Sequence, residues 1–270
     1  MLFELPTTIL GRTGLKVTRL GIGGAYCETP EGYAAALDSG VNYMDTARIY
    51  RDGDDERVVG QVIAGRRHSL VLATKTGERD RKGARKDLET SLRLLGTDYI
   101  DIWQIHHLNT QPEREQVLAP SGAMEAAVEA RQQGLVRFIG VTGHDWGEVA
   151  KAVETGLFDT VLCWYNCAFR QPEELLFPQA AAQGTGVVIM NATRMDKLLS
   201  PEDVPPVENF YRYVLSNPNV NLVLRGMRGA DLFRRVAGAL AERVTLGPEE
   251  RKQIESYGAG LLKKGQLEMN

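Results

Sequence analysis

Cysteine is scarce in this chain: Cys27, Cys163 and Cys167 are the three present among 270 residues. An odd, sparse set argues against a disulfide framework and reads as reduced thiols, so a cytoplasmic location is expected. Cys163 and Cys167 have no Cys or His neighbours at zinc spacing, which makes them buried thiols rather than metal ligands, and no metal is expected. Long hydrophobic runs are also missing. No stretch approaches the roughly 18 apolar residues of a membrane span. The opening "MLFELPTTILGRTG" has an early Glu4 and no basic lead, so no signal peptide is expected. Charge of one sign is not in excess. A net charge of −3 gives no electrostatic case for nucleic acid or an anionic membrane as partner. No linker or low-complexity segment breaks the chain, so residues 1–270 are expected to form a single domain, with 245–270 a helical or loose tail. Oligomeric state leaves no trace. The G-x-G-x-x-G turn of a doubly wound sheet is absent too, since "GIGGAY" lacks the third glycine and no helix signal follows at once.

What is present is a repeated grammar. In "AAALDSG-VNYMD", "TSLRLLG-TDYIDIWQI", "VEARQQG-LVRFIGV", "AKAVETG-LFDTVL" and "QAAAQGTG-VVIM" an amphipathic segment stops at a glycine (Gly40, Gly96, Gly134, Gly156, Gly184) and an apolar run begins. Glycine tolerates the left-handed conformation that closes a helix. The runs after it are apolar on both faces, as buried parallel strands are. The segments before it carry helical spacing, as do the stripes Trp146, Val149, Ala150, Val153 and Leu232, Phe233, Val236, Leu240. With "RLGIGG", "LVLAT" and "VNLVL" there are about eight strands alternating with helices, the size of a (β/α)₈ barrel of about 250 residues. "TILGRTGLKV" reads as a short N-terminal hairpin around Arg12–Gly14 that plugs one end.

Barrels of this kind build their sites at the C-terminal ends of the strands. The second strand ends at Asp45, with Tyr50 in its loop; the third ends at Lys75; the fourth ends at His106 and His107. The fifth delivers Thr142 and His144, and the sixth Asn166. A lysine closing "LVLAT" needs a carboxylate, and Asp45 is placed to supply it. A cationic Lys75 beside the phenol is expected to lower the Tyr50 pKa toward working pH, making it a general acid for a carbonyl oxygen, with His106 orienting that oxygen.

"DTARIY", "TK" at 74–75, "SLRLLGTDYIDIWQIH" and "GLVRFIGVTG" resemble the aldo-keto reductases from about Leu10 to Leu240. The resemblance implies a tetrad of Asp45, Tyr50, Lys75 and His106 and NAD(P)H-dependent reduction of an aldehyde or ketone. It implies a nicotinamide dinucleotide lying across the barrel mouth, with Gly23, Gly24, Thr142, Gly143 and Asn166 as contacts. After the last strand, "RGMRGADLFRR" matches the segment holding the adenosine phosphates, so Gly226, Arg228 and Arg234 are candidates there. Arginine forks favour NADP over NAD. Three departures stand out: Arg51 where the family has glycine, Leu162 in place of a glutamine, and a seventh strand ending "VVIMNATRMDKLL" without the aromatic that stacks on the nicotinamide. "VTGH" and "IHHL" are closest to a bacterial branch that often carries a cysteine-rich iron–sulfur tail. This chain ends "GAGLLKKGQLEMN", so no cluster is expected.

Two other readings compete. A strand-end lysine also suits a Schiff-base aldolase, although that chemistry wants a lysine of lowered pKa. A nucleotide-binding barrel acting as a redox sensor or regulatory subunit is the second. The substrate is not legible, because loops 26–30, 108–121 and 192–204 carry no decodable pattern.

Overall fold

The computed structural model describes residues 2–27, 29–200, 203–227 and 229–267. Ten strands are found there: β1 (Thr7–Ile9), β2 (Lys16–Thr18), β3 (Leu20–Gly23), β4 (Tyr43–Asp45), β5 (Val71–Thr76), β6 (Ile100–Ile105), β7 (Val136–Thr142), β8 (Thr160–Trp164), β9 (Gly186–Met190) and β10 (Leu222–Arg225). Strands β3 to β10 pair in parallel and in chain order, and β10 returns to β3 to close an eight-stranded barrel. The helices between them are α1 (Pro30–Leu37), α2 (Asp55–Ile63), α3 (Arg81–Leu95), α4 (Gln111–Leu118), α5 (Ala123–Gln132), α6 (Trp146–Glu154), α7 (Pro172–Leu175), α8 (Phe177–Gln183), α9 (Val207–Leu215) and α10 (Ala230–Glu242). A further helix, α11 (Pro248–Lys263), occupies most of the segment read as a tail. No helix among the described residues is long and apolar enough to cross a membrane.

The five helix-ending glycines all have positive φ, from 62° at Gly96 to 100° at Gly40. This is the left-handed conformation that a Cβ penalises, which is why the punctuation was visible in the sequence. Along each strand, alternate residues face the bore. Tyr43, Val71, Ala73, Ile102, Leu162, Val188, Leu222 and Leu224 fill it, and the others pack outward under the helices. The antiparallel pair β1–β2 sends Leu10, Leu15 and Val17 into the same inner cluster, so the N-terminal hairpin plugs the end opposite the site. Arg12 fastens it: its N–H donates to Gly184 O at 2.7 Å and its Nε to Asp159 at 2.9 Å.

Candidate active site

Asp45 is the last residue of β4 and faces the bore, as do Lys75 on β5 and Gln104 on β6. Gln104 fits because its neighbour on β7 is Gly140. A Cβ there would meet the Gln104 Cγ at 2.8 Å. Gln104 Nε2 donates to Asp45 Oδ1 at 2.9 Å, leaving Oδ2 to Lys75, whose ammonium lies 2.5 Å away. Lys75 Nζ also donates to Thr46 O at 2.7 Å and to the Tyr50 hydroxyl at 2.9 Å. An ammonium has three protons, and each has an acceptor here. Because the Tyr50 oxygen accepts from Lys75, its own proton is free for another group.

The loop that carries Tyr50 is held by the start of α2. Buried Asp55 accepts from the hydroxyls of Thr46 at 2.6 Å and Tyr33 at 2.8 Å. Buried Glu56 accepts from Thr74 Oγ1 at 2.6 Å and pairs with Arg48. Arg51, at the family's glycine position, takes φ 53°, and Asp52 takes 55°. A non-glycine residue there costs roughly 1–2 kcal/mol, and Arg51 is held by Cys27 O at 3.4 Å and Asp55 at 4.0 Å.

Burial works against a charged Lys75, but Asp45 and Tyr50 outweigh it and hold its pKa above the ordinary lysine value. Asp45 is raised by burial against the pull of Lys75 and Gln104. The Tyr50 phenol corrects the expectation from sequence. Burial comes first and raises its pKa; Lys75 lowers it, Asp45 raises it again, and the net direction is upward. The carboxylate that holds the ammonium cancels much of its field at the phenol. Tyr50 therefore rests protonated.

His106 follows β6, and its ring meets the Tyr50 ring edge-on at 5.9 Å. Burial, then Lys75 and the neighbouring histidines, depress its pKa far below the usual imidazole value, so it is neutral. An imidazole with a depressed folded pKa binds fewer protons than in the unfolded chain below about pH 6.5, so stability falls as pH falls through that value. From this group alone a loss of about 1 kcal/mol is expected between about pH 7 and pH 5.5. Denaturant titrations of the wild-type chain and of His106→Gln at both pH values measure it, and an equal loss in both would discount His106 as the source.

At the C-terminal ends of the strands lies a cavity of about 780 Å³; Lys75 and His106 sit behind its lining. Asp45, Tyr50, Gly23 and Gly226 line it, with an apolar floor of Leu162, Met190 and Leu224. Gly24, Thr142, Gly143, Asn166 and Arg234 do not line it. Gly24 packs against Tyr33 and Asp55, leaving no room for a Cβ. Thr142 Oγ1 accepts from the His107 N–H at 3.1 Å, and Gly143 lies tight against Val149 and Leu108. Asn166 is spent on the backbone of Ala168, Phe169 and Asn191. Arg234 lies on α10, paired with Asp231 at 3.3 Å, and Arg228 lies outside the described residues.

Sequence reasoning counted loop 192–204 among those lining the site but assigned none of its residues. The loop after β9 sets Asn191, Arg194, Met195 and Asp196 at positive φ, and all four line the cavity. Arg194 lies over the Trp164 ring at 4.9 Å. Arg225, at the end of β10, is buried against Tyr211 of α9, with Asp196 at 4.0 Å. The signal for Arg225 was present, because it closes the apolar run "VNLVL" as Lys75 closes "LVLAT".

The model of the aldo/keto reductase family matches residues 27–200. An uncharacterized oxidoreductase of Bacillus subtilis, YqkF, is 25% identical over 92% of this chain and 95% of its own length. The holo form of the aldo-keto reductase AKR11C1 from Bacillus halodurans superposes with a TM-score of 0.82 at 26% identity, covering 94% of this chain and 96% of that one. An aldo/keto reductase from Klebsiella pneumoniae, in complex with NADP and acetate, shares the fold with a TM-score of 0.78 at 24% identity, covering 94% and 96%.

Proposed function

The chain belongs to the aldo/keto reductase family, and from that premise we propose that it reduces a small aldehyde or ketone to the alcohol with NADPH, Tyr50 giving the proton. The observation that carries this reading is the Lys75 ammonium, which donates at once to Asp45, Thr46 and Tyr50. Its hydrogen bond to the phenol oxygen directs the phenol's own proton away from the lysine, and burial keeps that phenol protonated. Lys75 stabilises the tyrosinate left behind when the proton moves to the carbonyl oxygen, and Asp45 and Gln104 keep Lys75 in place. Neutral His106 offers that oxygen a hydrogen bond without a competing proton transfer. A Schiff-base role needs a neutral lysine, and Lys75 is held as the ammonium. A purely regulatory barrel has no use for this proton donor. We take residues 1–270 as one cytoplasmic barrel domain, with a carbonyl compound and the dinucleotide, and not nucleic acid, as its partners.

The cavity fits a dinucleotide in two ways. Among the described residues, buried Arg225 Nε has no hydrogen-bond partner. Arg194 follows the seventh barrel strand and Arg225 ends the eighth, where such barrels build phosphate sites. When bound, the dinucleotide supplies the hydride. Arg225, Gly226 and the 191–196 loop are the residues that would hold its phosphates, and Arg228 and Arg234 remain candidates for the extra phosphate of NADPH, with NADH the less tightly held of the two.

Calorimetric titration of both dinucleotides tests the assignment. Arg225→Leu is expected to weaken NADPH and NADH alike by more than tenfold, since a charge-assisted contact contributes about 1.5–3 kcal/mol. Loss confined to NADPH in Arg228→Ala or Arg234→Ala would place the 2′-phosphate there. Unchanged binding in Arg225→Leu removes Arg225 from the cofactor site. The function itself is tested by NADPH consumption against a panel of aldehydes and ketones, and consumption with none of them would reject it.

A further inference from the structure

Beyond His106 the imidazoles continue. The His107 ring packs on His106 at 4.0 Å, and the His144 ring stacks on His107 at 5.0 Å, 14° from parallel. With Tyr50 they make a row of four rings from the half-buried phenol to the exposed His144. His107 and His144 line the same cavity as Tyr50.

Two features separate this pair from chance surface histidines. His107 takes φ 53°, a conformation that non-glycine residues adopt at a cost. It is held there from both sides: its N–H donates to Thr142 Oγ1 at 3.1 Å and its C=O accepts from Arg79 Nη2 at 2.9 Å. The neighbouring backbone is fixed as well, with the His144 N–H donating to Asn109 Oδ1 at 2.6 Å. The fold thus spends strain to turn a second imidazole into the cavity. The ring nitrogens are the other feature. Among the described residues, none of those of His106, His107 or His144 has a hydrogen-bond partner, so the nitrogens of His107 and His144, which line the cavity, are open to a ligand. No group of three or more His, Cys, Asp or Glu among the described residues could hold a metal.

The chemistry of the pair selects the ligand. Burial foremost lowers the pKa of both, His144 and Lys75 adding to the effect on His107 and Arg194 to that on His144. A neutral imidazole offers one donor and one acceptor, which matches a hydroxyl and not a carboxylate, which only accepts. The opposite floor of Leu162, Met190 and Leu224 offers no hydrogen bond. A ligand lying between them therefore meets hydroxyl partners on the histidine side, next to Tyr50 and His106, and none on the floor. We propose that His107 and His144 are specificity-determining residues that recognise a hydroxyl beside the reacting carbonyl, so that the substrates are α-hydroxy aldehydes or ketones. This inference rests on the carbonyl-reductase reading.

The test compares hydroxyacetone with butanone, which carries a methyl in place of the hydroxyl. Intrinsic reactivity of the two ketones cancels when the ratio of their kcat/KM values is followed across variants. His144→Phe keeps the ring stack and loses the nitrogens; His107→Asn keeps a residue type that tolerates positive φ. Circular dichroism and NADPH affinity check that each variant is folded. The ratio is expected to fall by about tenfold or more in each, less than the 10⁴–10⁵ of a fully enclosed hydroxyl site. A second arm does not need turnover. The chain has four histidines, and glycerol, but not n-propanol, is expected to shift the ring-proton resonances of His107 and His144 in the NADP-loaded protein, with assignments taken from the two variants. A ratio that holds within twofold, or equal shifts with both alcohols, overturns the proposal. If the wild-type chain consumes NADPH with no carbonyl compound, the reductase reading fails, and the resonance shifts still decide whether the wall reads hydroxyls.

Discussion

Tyr50→Phe is expected to lower turnover by about 10²–10⁴-fold, the usual range for removing a positioned general acid, while NADPH affinity stays within about threefold. The phenyl ring keeps its edge contact with His106 and its place beside Lys75, whose ammonium lies 4.4 Å from the ring centroid. What is lost is the hydroxyl that accepts from Lys75 and carries the transferable proton. A change in affinity below threefold is under the 1.4 kcal/mol or so that separates tenfold steps, so a parallel loss of cofactor binding would signal a disturbed cavity instead. The upward pKa of Tyr50 adds a direction for pH. Carbonyl reduction needs the protonated phenol and should be level through neutrality. Oxidation of the alcohol needs the tyrosinate and should climb with rising pH. Stopped-flow single turnovers in both directions measure this, and full turnover in the phenylalanine variant would remove Tyr50 from the chemistry.

Lys75→Met should damage both activity and stability. Lys75 is 1% exposed, and its partner Asp45 is 2% exposed. Removing one member of a buried ion pair leaves the other charge uncompensated, which costs about 3–5 kcal/mol. Turnover should fall by about 10²-fold or more, because the tyrosinate loses its stabilising cation. The double variant Lys75→Met with Asp45→Asn separates the two effects. An amide in place of the carboxylate removes the stranded charge and should recover much of the lost stability, as read by the denaturation midpoint, with no recovery of turnover. If activity returned with stability, Lys75 would be a structural residue only, and the reading of Tyr50 as an acid tuned by an ammonium would fall with it.

Much of the barrel and of the proposed proton-transfer centre was legible in the sequence, for a local reason. Glycine at the ends of helices and apolar runs between them are properties of single residues and short windows, and they marked out the parallel strands in order. Asp45, Tyr50, Lys75 and His106 each lie at or just after the end of one such run, so their convergence followed from the architecture. Arg51 was legible as a departure, although not the left-handed backbone it accepts. Arg194 was not identified, because the loop after β9 has four left-handed non-glycine residues that composition does not announce; Arg225 was overlooked although it closes an apolar run as Lys75 does.

The sequence by itself determined the alternation of strands and helices, the family, and which four polar side chains meet at the barrel mouth. Only the tertiary structure decided the charge state of the phenol. That outcome depends on how far burial and Asp45 oppose Lys75 in three dimensions, a balance of distances that no spacing along the chain encodes. Tertiary contacts also decided that Thr142, Asn166 and Arg234 bond within the protein, and that Arg225, His107 and His144 reach the cavity. Where a side chain points at the end of a strand depends on the twist and closure of the whole sheet. The identity of a residue can be read locally, but its direction is a property of the closed barrel.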